Sequence, residues 1–171
     1  MAIQCDGSYR VAQYIHYDAY PSGIGKQIIR FVKTHLATSE GIDDFREKAR
    51  ACAFDDRASL GDVKWNASLL DDIEQGKPCI AQSHLDLAYD SIVCEWAYVI
   101  DLDAKTRECY RGFNRKPLEA ADRFFTEKSK GCETISGITY YPVKMTNIIH
   151  LEDIGNDTVE GIVRRWEDAR L

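Results

Sequence analysis

Alternating apolar and β-branched residues, a pattern typical of strands, occur in several stretches of the chain. Tyr9–Tyr17 is the first predicted strand, and Pro78–Gln82 is predicted as a short one. Ile138–Met145 is a further strand, which we expect near a sheet edge because Pro142 cannot donate to a strand ladder. These stretches do not alternate regularly with the helical ones.

Apolar residues at helical spacing, preceded by Ser, Thr, Asp or Asn, predict helices elsewhere. The predicted helices cover Ser22–Leu36 with Ser22 as its cap, a segment capped by Thr38 or Ser39 that runs to about Cys52, a short helix that ends at Gly76, a segment from Pro117 that stops before Gly131, and a terminal helix capped by Asn156, Asp157 or Thr158.

The stretch Ile92–Leu102 is apolar on both faces, which predicts a central strand. Turn residues follow it, and Arg107–Phe113 is predicted to return as the second strand of a hairpin from about Val93 to Phe113. A loop of two or four residues centred on Ala104-Lys105 places Leu102 opposite Arg107 unless a bulge intervenes. In that register one face pairs Trp96 with Phe113 and Tyr98 with Arg111, and the other pairs Glu95 with Asn114 and Asp101 with Glu108.

Connections through hairpins and irregular stretches favour an α+β fold with a largely antiparallel sheet, a central hairpin and about four or five helices. The chain has 171 residues, of which 44% are hydrophobic and 29% charged. These values are typical of a globular protein, so residues 1–171 are expected to form one domain.

Composition excludes several classes of protein. A membrane span requires an apolar run of about 18 residues, and the sequence contains no run of that length. It also shows no secretory leader, so we expect a cytoplasmic protein. The net charge of −6 disfavours non-specific nucleic-acid binding. Six dispersed cysteines without a C-x-x-C pair and four dispersed histidines indicate reduced thiols and neither a metal site nor a cofactor.

The hairpin carries the first candidate for ligand chemistry. Trp96, Tyr98, Arg111 and Phe113 share a predicted face, where rings can stack on a flat ligand and the guanidinium can neutralise phosphate. Ordinary cross-strand packing gives the same pattern and is the simpler interpretation.

Glu95 lies among apolar neighbours, where burial would raise its pKa and suit it to proton transfer or to binding a polar group. Asp101 and Glu108 share its predicted face, and two carboxylates opposite each other would need solvent. This favours an exposed Glu95.

Tyr20–Lys26 is the second candidate site. Ser22, Gly23 and Gly25 stand at a helix start, where free amides can hold a phosphate beside the charge of Lys26. The segment lacks the spacing of the Walker phosphate loop, and a turn with a helix cap accounts for the same residues.

Nucleophilic catalysis would need Cys94 or Cys109 beside a histidine, with His16, His84 and His150 as the conceivable partners. Cysteine is among the most buried residue types, so an inert core role is the simpler interpretation.

Two segments resemble a family of small proteins from bacteriophage genomes and prophages: Ala12–Tyr14 with Asp18–Gly25, and Cys94–Asp103 with Tyr110–Phe113. The resemblance covers about a quarter of the chain and, loosely, the terminal helix. Glycine is usual in the family where this chain has Ala19, so the turn after Asp18 is expected to differ. The family offers no activity to carry over, but it implies a bacterial host cell and a role in binding host factors or signalling molecules.

The leading hypothesis is a non-enzymatic phage or prophage accessory protein that sequesters a nucleotide-like signalling ligand or a host protein and so antagonises a host function such as antiviral defence. Two alternatives stay open: a small hydrolase or transferase that uses Cys94 or Glu95, and an inhibitor whose acidic surface mimics nucleic acid. The sequence leaves the oligomeric state, including a homo-oligomer, open. The acidic surface would comprise Asp43, Asp44, Asp55, Asp56, Asp71 and Asp72.

Overall fold

The computed structural model of the chain describes residues 1–15, 18–55, 67–77, 79–126 and 134–169. The strands found in these ranges are β1 Ala2–Cys5, β2 Ser8–Ala12, β3 Ala53–Phe54, β4 Ile80–Ala81, β5 Trp96–Asp101, β6 Thr106–Arg111, β7 Thr134–Ile135, β8 Ile138–Thr139 and β9 Lys144–His150. The α-helices are α1 Lys26–His35, α2 Ser39–Ala49, α3 Ser68–Glu74 and α4 Val159–Asp168, and shorter helical turns span Pro21–Gly25, Leu85–Tyr89 and Leu151–Asn156.

A five-stranded sheet in the order β2-β1-β5-β6-β9 forms the centre of the molecule. β1 runs parallel to β5, and the other neighbours are antiparallel. Two further pairs, β3 with β4 and β7 with β8, form small two-stranded sheets. The prediction of an α+β fold with a largely antiparallel sheet and a central hairpin is confirmed.

One side of the sheet, the helical face, packs against α1–α4. Tyr98, Ile100 and Cys109 point into this core with side chains from all four helices. Thr38 and Thr158 accept hydrogen bonds from Gly41 N and Gly161 N at 3.1 Å and 3.0 Å, which confirms the predicted caps of α2 and α4.

The other side, the loop face, is covered mainly by irregular chain. Val99 and Tyr110 pack there against Ala88, Leu118 and Phe124. The helix predicted from Pro117 is wrong, because residues 117–126 form successive turns in which the amides of Asp122 and Phe125 donate to the carbonyls of Glu119 and Asp122.

Several predicted boundaries shift. The strand predicted as Tyr9–Tyr17 ends at Ala12, where Gln13 N bonds to Met1 O at 2.8 Å, and its last two residues lie outside the described ranges. The sequence analysis missed β1. Pro142 does not lie within a strand; β9 begins two residues later at Lys144 and is the edge strand of the sheet.

The hairpin register differs from the predicted one. Ile100, rather than Leu102, lies opposite Arg107, and the last pair is Asp101 with Thr106. The shift by two residues keeps every side chain on its predicted face, because side chains alternate with a period of two. Trp96 consequently lies opposite Arg111 instead of Phe113.

The side chain of Asp101 accounts for the shift. Its Oδ1 accepts hydrogen bonds from the amides of Asp103 at 3.0 Å and Ala104 at 2.8 Å, which centres the loop one residue earlier than predicted. Leu102 N donates to Gln4 O in β1 at 3.0 Å, so Leu102 belongs to the core rather than to the hairpin ladder.

Within the described residues, every helix is too short or too polar to cross a lipid bilayer.

Candidate functional site: a cavity beside the central strand

A cavity of about 330 Å³ opens beside β5, where this strand extends past the start of β1. Ala2 is the first residue of β1 to pair, and its partner is Val99, so Trp96 and Tyr98 stand beyond the end of the neighbouring strand. Residues from 12–15, 18–20 and 84–88 close the remaining sides.

Aromatic rings form much of the cavity wall. Tyr14, Tyr20, Trp96, Tyr98 and Phe124 all line it, and Tyr20 is 54% exposed at the surface. Tyr98 is buried, and its hydroxyl donates to the carbonyl of Ala19 at 2.8 Å. The ring of Tyr98 thus ties the neighbouring segment to the central strand, and several π surfaces are available to a flat molecule.

Gln13 brings an unpaired donor to this wall. Its side chain is 5% exposed, and its Nε2 has no hydrogen-bond partner in the part of the chain that the structure describes. The main chain of Gln13 is fixed, because its N and O both bond to Met1 at 2.8 Å. An unsatisfied buried amide costs about 1–3 kcal/mol, so a ligand acceptor at this point would recover free energy.

His84 contributes a second unpaired atom. Its amide donates to Ala12 O at 2.9 Å, which positions the residue against β2, and its imidazole lines the cavity. Nδ1 is buried and lacks a partner among the described residues. A neutral imidazole can donate or accept there, according to its tautomer.

The charged side chains of the cavity lining are acidic. Asp18 and Glu95 belong to its lining, and none of the described lining residues is Lys or Arg. Glu95 is exposed, as the sequence pattern favoured. The lining therefore offers apolar surface, hydrogen-bonding groups and negative charge.

Cys94 also lines the cavity, but as a protonated thiol. Burial raises its pKa to about 11, and its Sγ lies 3.6 Å from the carbonyl oxygen of Trp96, to which it donates. The nucleophile in cysteine catalysis is the thiolate. Although His84 lines the same cavity, its unpaired Nδ1 does not activate the thiol.

The other candidates from the hairpin lie outside this lining. Arg111 stacks over the ring of Trp96 at 5.3 Å and donates to Ala169 O at 2.8 Å. Phe113 is 46% exposed and packs edge-on against Tyr140, with the ring centroids 6.4 Å apart. Of the four side chains predicted to share a face of the hairpin, Trp96 and Tyr98 line the cavity, and Arg111 and Phe113 do not.

The amides of the Tyr20–Lys26 turn are already occupied. The amides of Gly23 and Gly25 donate to Tyr20 O at 3.0 and 3.2 Å, and Lys26 Nζ pairs with Glu160 at 3.0 Å. The N-cap residues of the turn that begins at Pro21 and of α1 are Tyr20 and Gly25, and neither makes a side-chain capping bond, so the prediction of Ser22 as the helix cap is wrong. The expectation of free amides for a phosphate is wrong for Gly23 and Gly25; only Tyr20 of this segment lines the cavity.

Gly25 serves close packing instead. A Cβ at this position would lie 2.9 Å from the Tyr98 hydroxyl oxygen and 3.0 Å from the Trp166 ring. The glycine therefore lets α1 begin directly against the aromatic residues of the helical face.

The expectation that Asp101 and Glu108 need solvent is also wrong. Both are buried, at 4% and 5% exposure, and the guanidinium of Arg123 forms ion pairs with both carboxylates. Arg123 Nη2 lies 2.5 Å from Asp101 Oδ2 and 2.6 Å from Glu108 Oε1, while Nε donates to Glu108 Oε2 at 2.6 Å. The cation comes from the irregular segment of the loop face.

Three residues of the predicted acidic surface pair with nearby cations. Asp43 pairs with Arg46, Asp44 with Lys48 and Asp72 with Lys77, at 3.4, 2.5 and 2.9 Å. Asp56 and His16 fall outside the described residues. This local pairing weakens the argument for a mimic of nucleic acid.

Gln13, His84 and Phe124 are among the cavity residues that the sequence analysis missed as ligand-binding candidates. They come from three distant segments, and each follows or lies within an irregular stretch without a motif of its own. Among the residues that the structure describes, no three His, Cys, Asp or Glu side chains are grouped to hold a metal ion.

Comparison with known proteins gives no relative: no family model matches the chain, and neither a curated protein nor a solved structure shows significant similarity to it.

Proposed function

We propose that this chain is a non-enzymatic binding protein that captures a nucleotide-like ligand by its base in the cavity beside β5. The observation that carries the proposal is the unpaired, 5% exposed amide of Gln13 in a cavity walled by aromatic rings. A nucleobase supplies a flat π surface and acceptors in the same plane, and binding sites of this kind place a few polar groups within an apolar wall.

The size and charge of the cavity favour the base over the phosphates. About 330 Å³ lies at the lower end of the range of about 300–1,000 Å³ for small-molecule sites. Phosphate recognition relies on Arg, Lys or free amides, whereas the charged lining residues are Asp18 and Glu95. A sugar and any phosphates would extend outward past Tyr20, which is exposed at the surface.

Binding is preferred to catalysis because the candidate nucleophile is unactivated. The raised pKa of Cys94, about 11, keeps its thiol protonated at neutral pH. The hydrolase or transferase hypothesis would then depend on the exposed Glu95 alone.

The resemblance to phage proteins supplies the biological part of the proposal. A phage protein that sequesters a nucleotide-like signal would lower its free concentration in the bacterial host and so blunt a defence response. Binding by a protein partner is the competing outcome.

The proposal is tested by isothermal titration calorimetry against free nucleobases, nucleosides, mononucleotides and cyclic dinucleotides. We expect binding by at least one base, with little added affinity from phosphate. Removal of the amide in Gln13→Leu should weaken binding by about 10-fold or more, since an unpaired ligand acceptor costs about 1–3 kcal/mol.

Gln75→Leu is the matched control, because Gln75 is exposed at the end of α3. It should leave affinity unchanged. Absence of heat for every base and nucleoside would overturn the proposal, and so would equal affinities of the wild type and Gln13→Leu. Turnover of a bound nucleotide that is lost in Glu95→Gln would favour the enzymatic alternative.

A further inference from the structure

A second feature, independent of the ligand cavity, lies where β3 and β4 begin. The two strands are parallel, with Ala53 opposite Ile80 and Phe54 opposite Ala81. The preceding residues, Cys52 and Cys79, therefore stand opposite each other, and Ala53 N donates to Cys79 O at 2.9 Å. Two distant parts of the chain thus bring two thiols to one point.

The geometry suits a covalent bond between these sulfur atoms. Neighbouring strands lie about 4.8 Å apart, and disulfides join residues whose Cα atoms are about 4.4–6.8 Å apart. Residues opposite each other in a parallel pair also project their side chains to the same face. Cys52 belongs to the core of the helical face, and Cys79 packs against that same core.

The environment distinguishes this pair from the chain's other described cysteines. The hydrogen bond between the two thiols lowers the pKa of Cys52 and raises the pKa of Cys79, whereas burial raises the pKa of Cys5, of Cys94 to about 11 and of Cys109 to about 12. Cys79 is half-buried, so a small molecule from solvent can approach the pair.

We propose that Cys52 and Cys79 form a redox-modification site, in which mild oxidation by a peroxide joins them in an intramolecular disulfide. The bond would close the loop of residues 53–78 and tie α3, which packs against α1 and α2, to the end of α2.

The reaction balances with hydrogen peroxide as the oxidant. The Cys52 thiolate attacks one peroxide oxygen, the O–O bond breaks, and the released hydroxide takes up a proton to leave as water. The Cys79 sulfur then attacks the sulfur of the resulting sulfenic acid, so that the S–S bond forms and the S–O bond breaks. The departing oxygen leaves as a second water; the two thiols lose two electrons, and the peroxide gains them.

The experiment exposes the reduced full-length protein to stoichiometric hydrogen peroxide, blocks free thiols with iodoacetamide, and maps the peptides by mass spectrometry with and without reduction. We expect alkylation of Cys52 and Cys79 to be lost together, with a linked peptide that separates on reduction. The oxidised wild type should also melt at a higher temperature than the reduced protein, because the cross-link restricts the unfolded chain.

Cys79→Ser should abolish both the linked peptide and the rise in melting temperature, and Cys52→Ser should do the same. Since Cys52 is buried, Cys79→Ser is the safer variant for folding. Cys94→Ala, which retains the pair, should still form the link. Full alkylation of both cysteines after peroxide treatment, or their conversion to sulfinic acids without a linked peptide, would overturn the proposal.

Discussion

Two arginines on opposite faces of the central hairpin, the partly exposed Arg123 and the fully buried Arg107, have their charges compensated differently. Arg123 on the loop face meets Asp101 and Glu108, whereas Arg107 on the helical face is 0% exposed and its three side-chain nitrogens have no hydrogen-bond partner among the described residues. The guanidinium of Arg107 instead stacks on Trp166, 3.7 Å from the ring centroid.

The difference shows in the pKa values. Hydrogen bonds that Arg123 donates to the carboxylates outweigh desolvation and raise its pKa, whereas desolvation lowers the pKa of Arg107 to about 9. A buried charge is tolerated when partners satisfy its donors, and is costly otherwise. We infer that the loop face is held by a satisfied ionic network and that the helical face carries an uncompensated charge.

The largest effect is expected from Arg123→Met. This change leaves Asp101 and Glu108 buried without a cation, so the free energy of unfolding should fall by about 3–5 kcal/mol. Urea denaturation monitored by circular dichroism measures it.

Arg115→Met is the control for this change, since Arg115 is exposed and stacks only loosely on Tyr140, 5.9 Å from its ring centroid. Its effect should stay within about 0.5 kcal/mol. The triple variant Asp101→Asn, Glu108→Gln, Arg123→Met should recover part of the loss. A decrease below about 1 kcal/mol in Arg123→Met would contradict the satisfied network.

A smaller effect is expected from Tyr110→Phe on the loop face. The Tyr110 hydroxyl donates to Glu108 Oε2 at 2.5 Å in a buried setting, and a hydrogen bond to a charged group is worth about 1.5–3 kcal/mol. Tyr98→Phe, on the helical face, removes a bond to the neutral carbonyl of Ala19 and should lose only about 0.5–1.5 kcal/mol. Equal losses in the two variants would show that Glu108 carries no charge there.

The helical face and the loop face also differ in how well they could be predicted from the sequence. Helices α2 and α4 were predicted from apolar spacing and from Thr38 and Thr158, because those signals are local. The loop face was not predicted, since Arg123 finds its carboxylates 15 and 22 residues away. Local helix propensity predicted a helix from Pro117 onward. The structure has a series of turns there instead, and Arg123 within them forms the ion pairs with Asp101 and Glu108.

Some residues of the candidate site could likewise be predicted from the sequence, and others could not. Trp96 and Tyr98 could be chosen because alternation on a strand fixes which residues share a face. Gln13 and His84 could not, because their role depends on where β1 ends beside β5, and β1 itself was missed. The predicted hairpin register was wrong for a local reason. The Asp101 side chain accepts hydrogen bonds from two loop amides, which moves the turn by one residue.

The smallest effect, of opposite sign, is expected from Arg107→Met. Methionine keeps the apolar contact with Trp166 and removes a buried charge without hydrogen-bond partners in the described structure, so the free energy of unfolding should rise by about 1 kcal/mol after the cation–π attraction is lost.

Arg107 has a folded pKa of about 9, below the ordinary 12.5, so the folded state binds fewer protons between these values and the wild type gains stability as the pH rises. The advantage of the variant should therefore shrink from about pH 7 to about pH 10, whereas exposed Arg165→Met should show no such trend. A loss of several kcal/mol in Arg107→Met would mean that the stacked guanidinium stabilises the helical face and that the two arginines are alike.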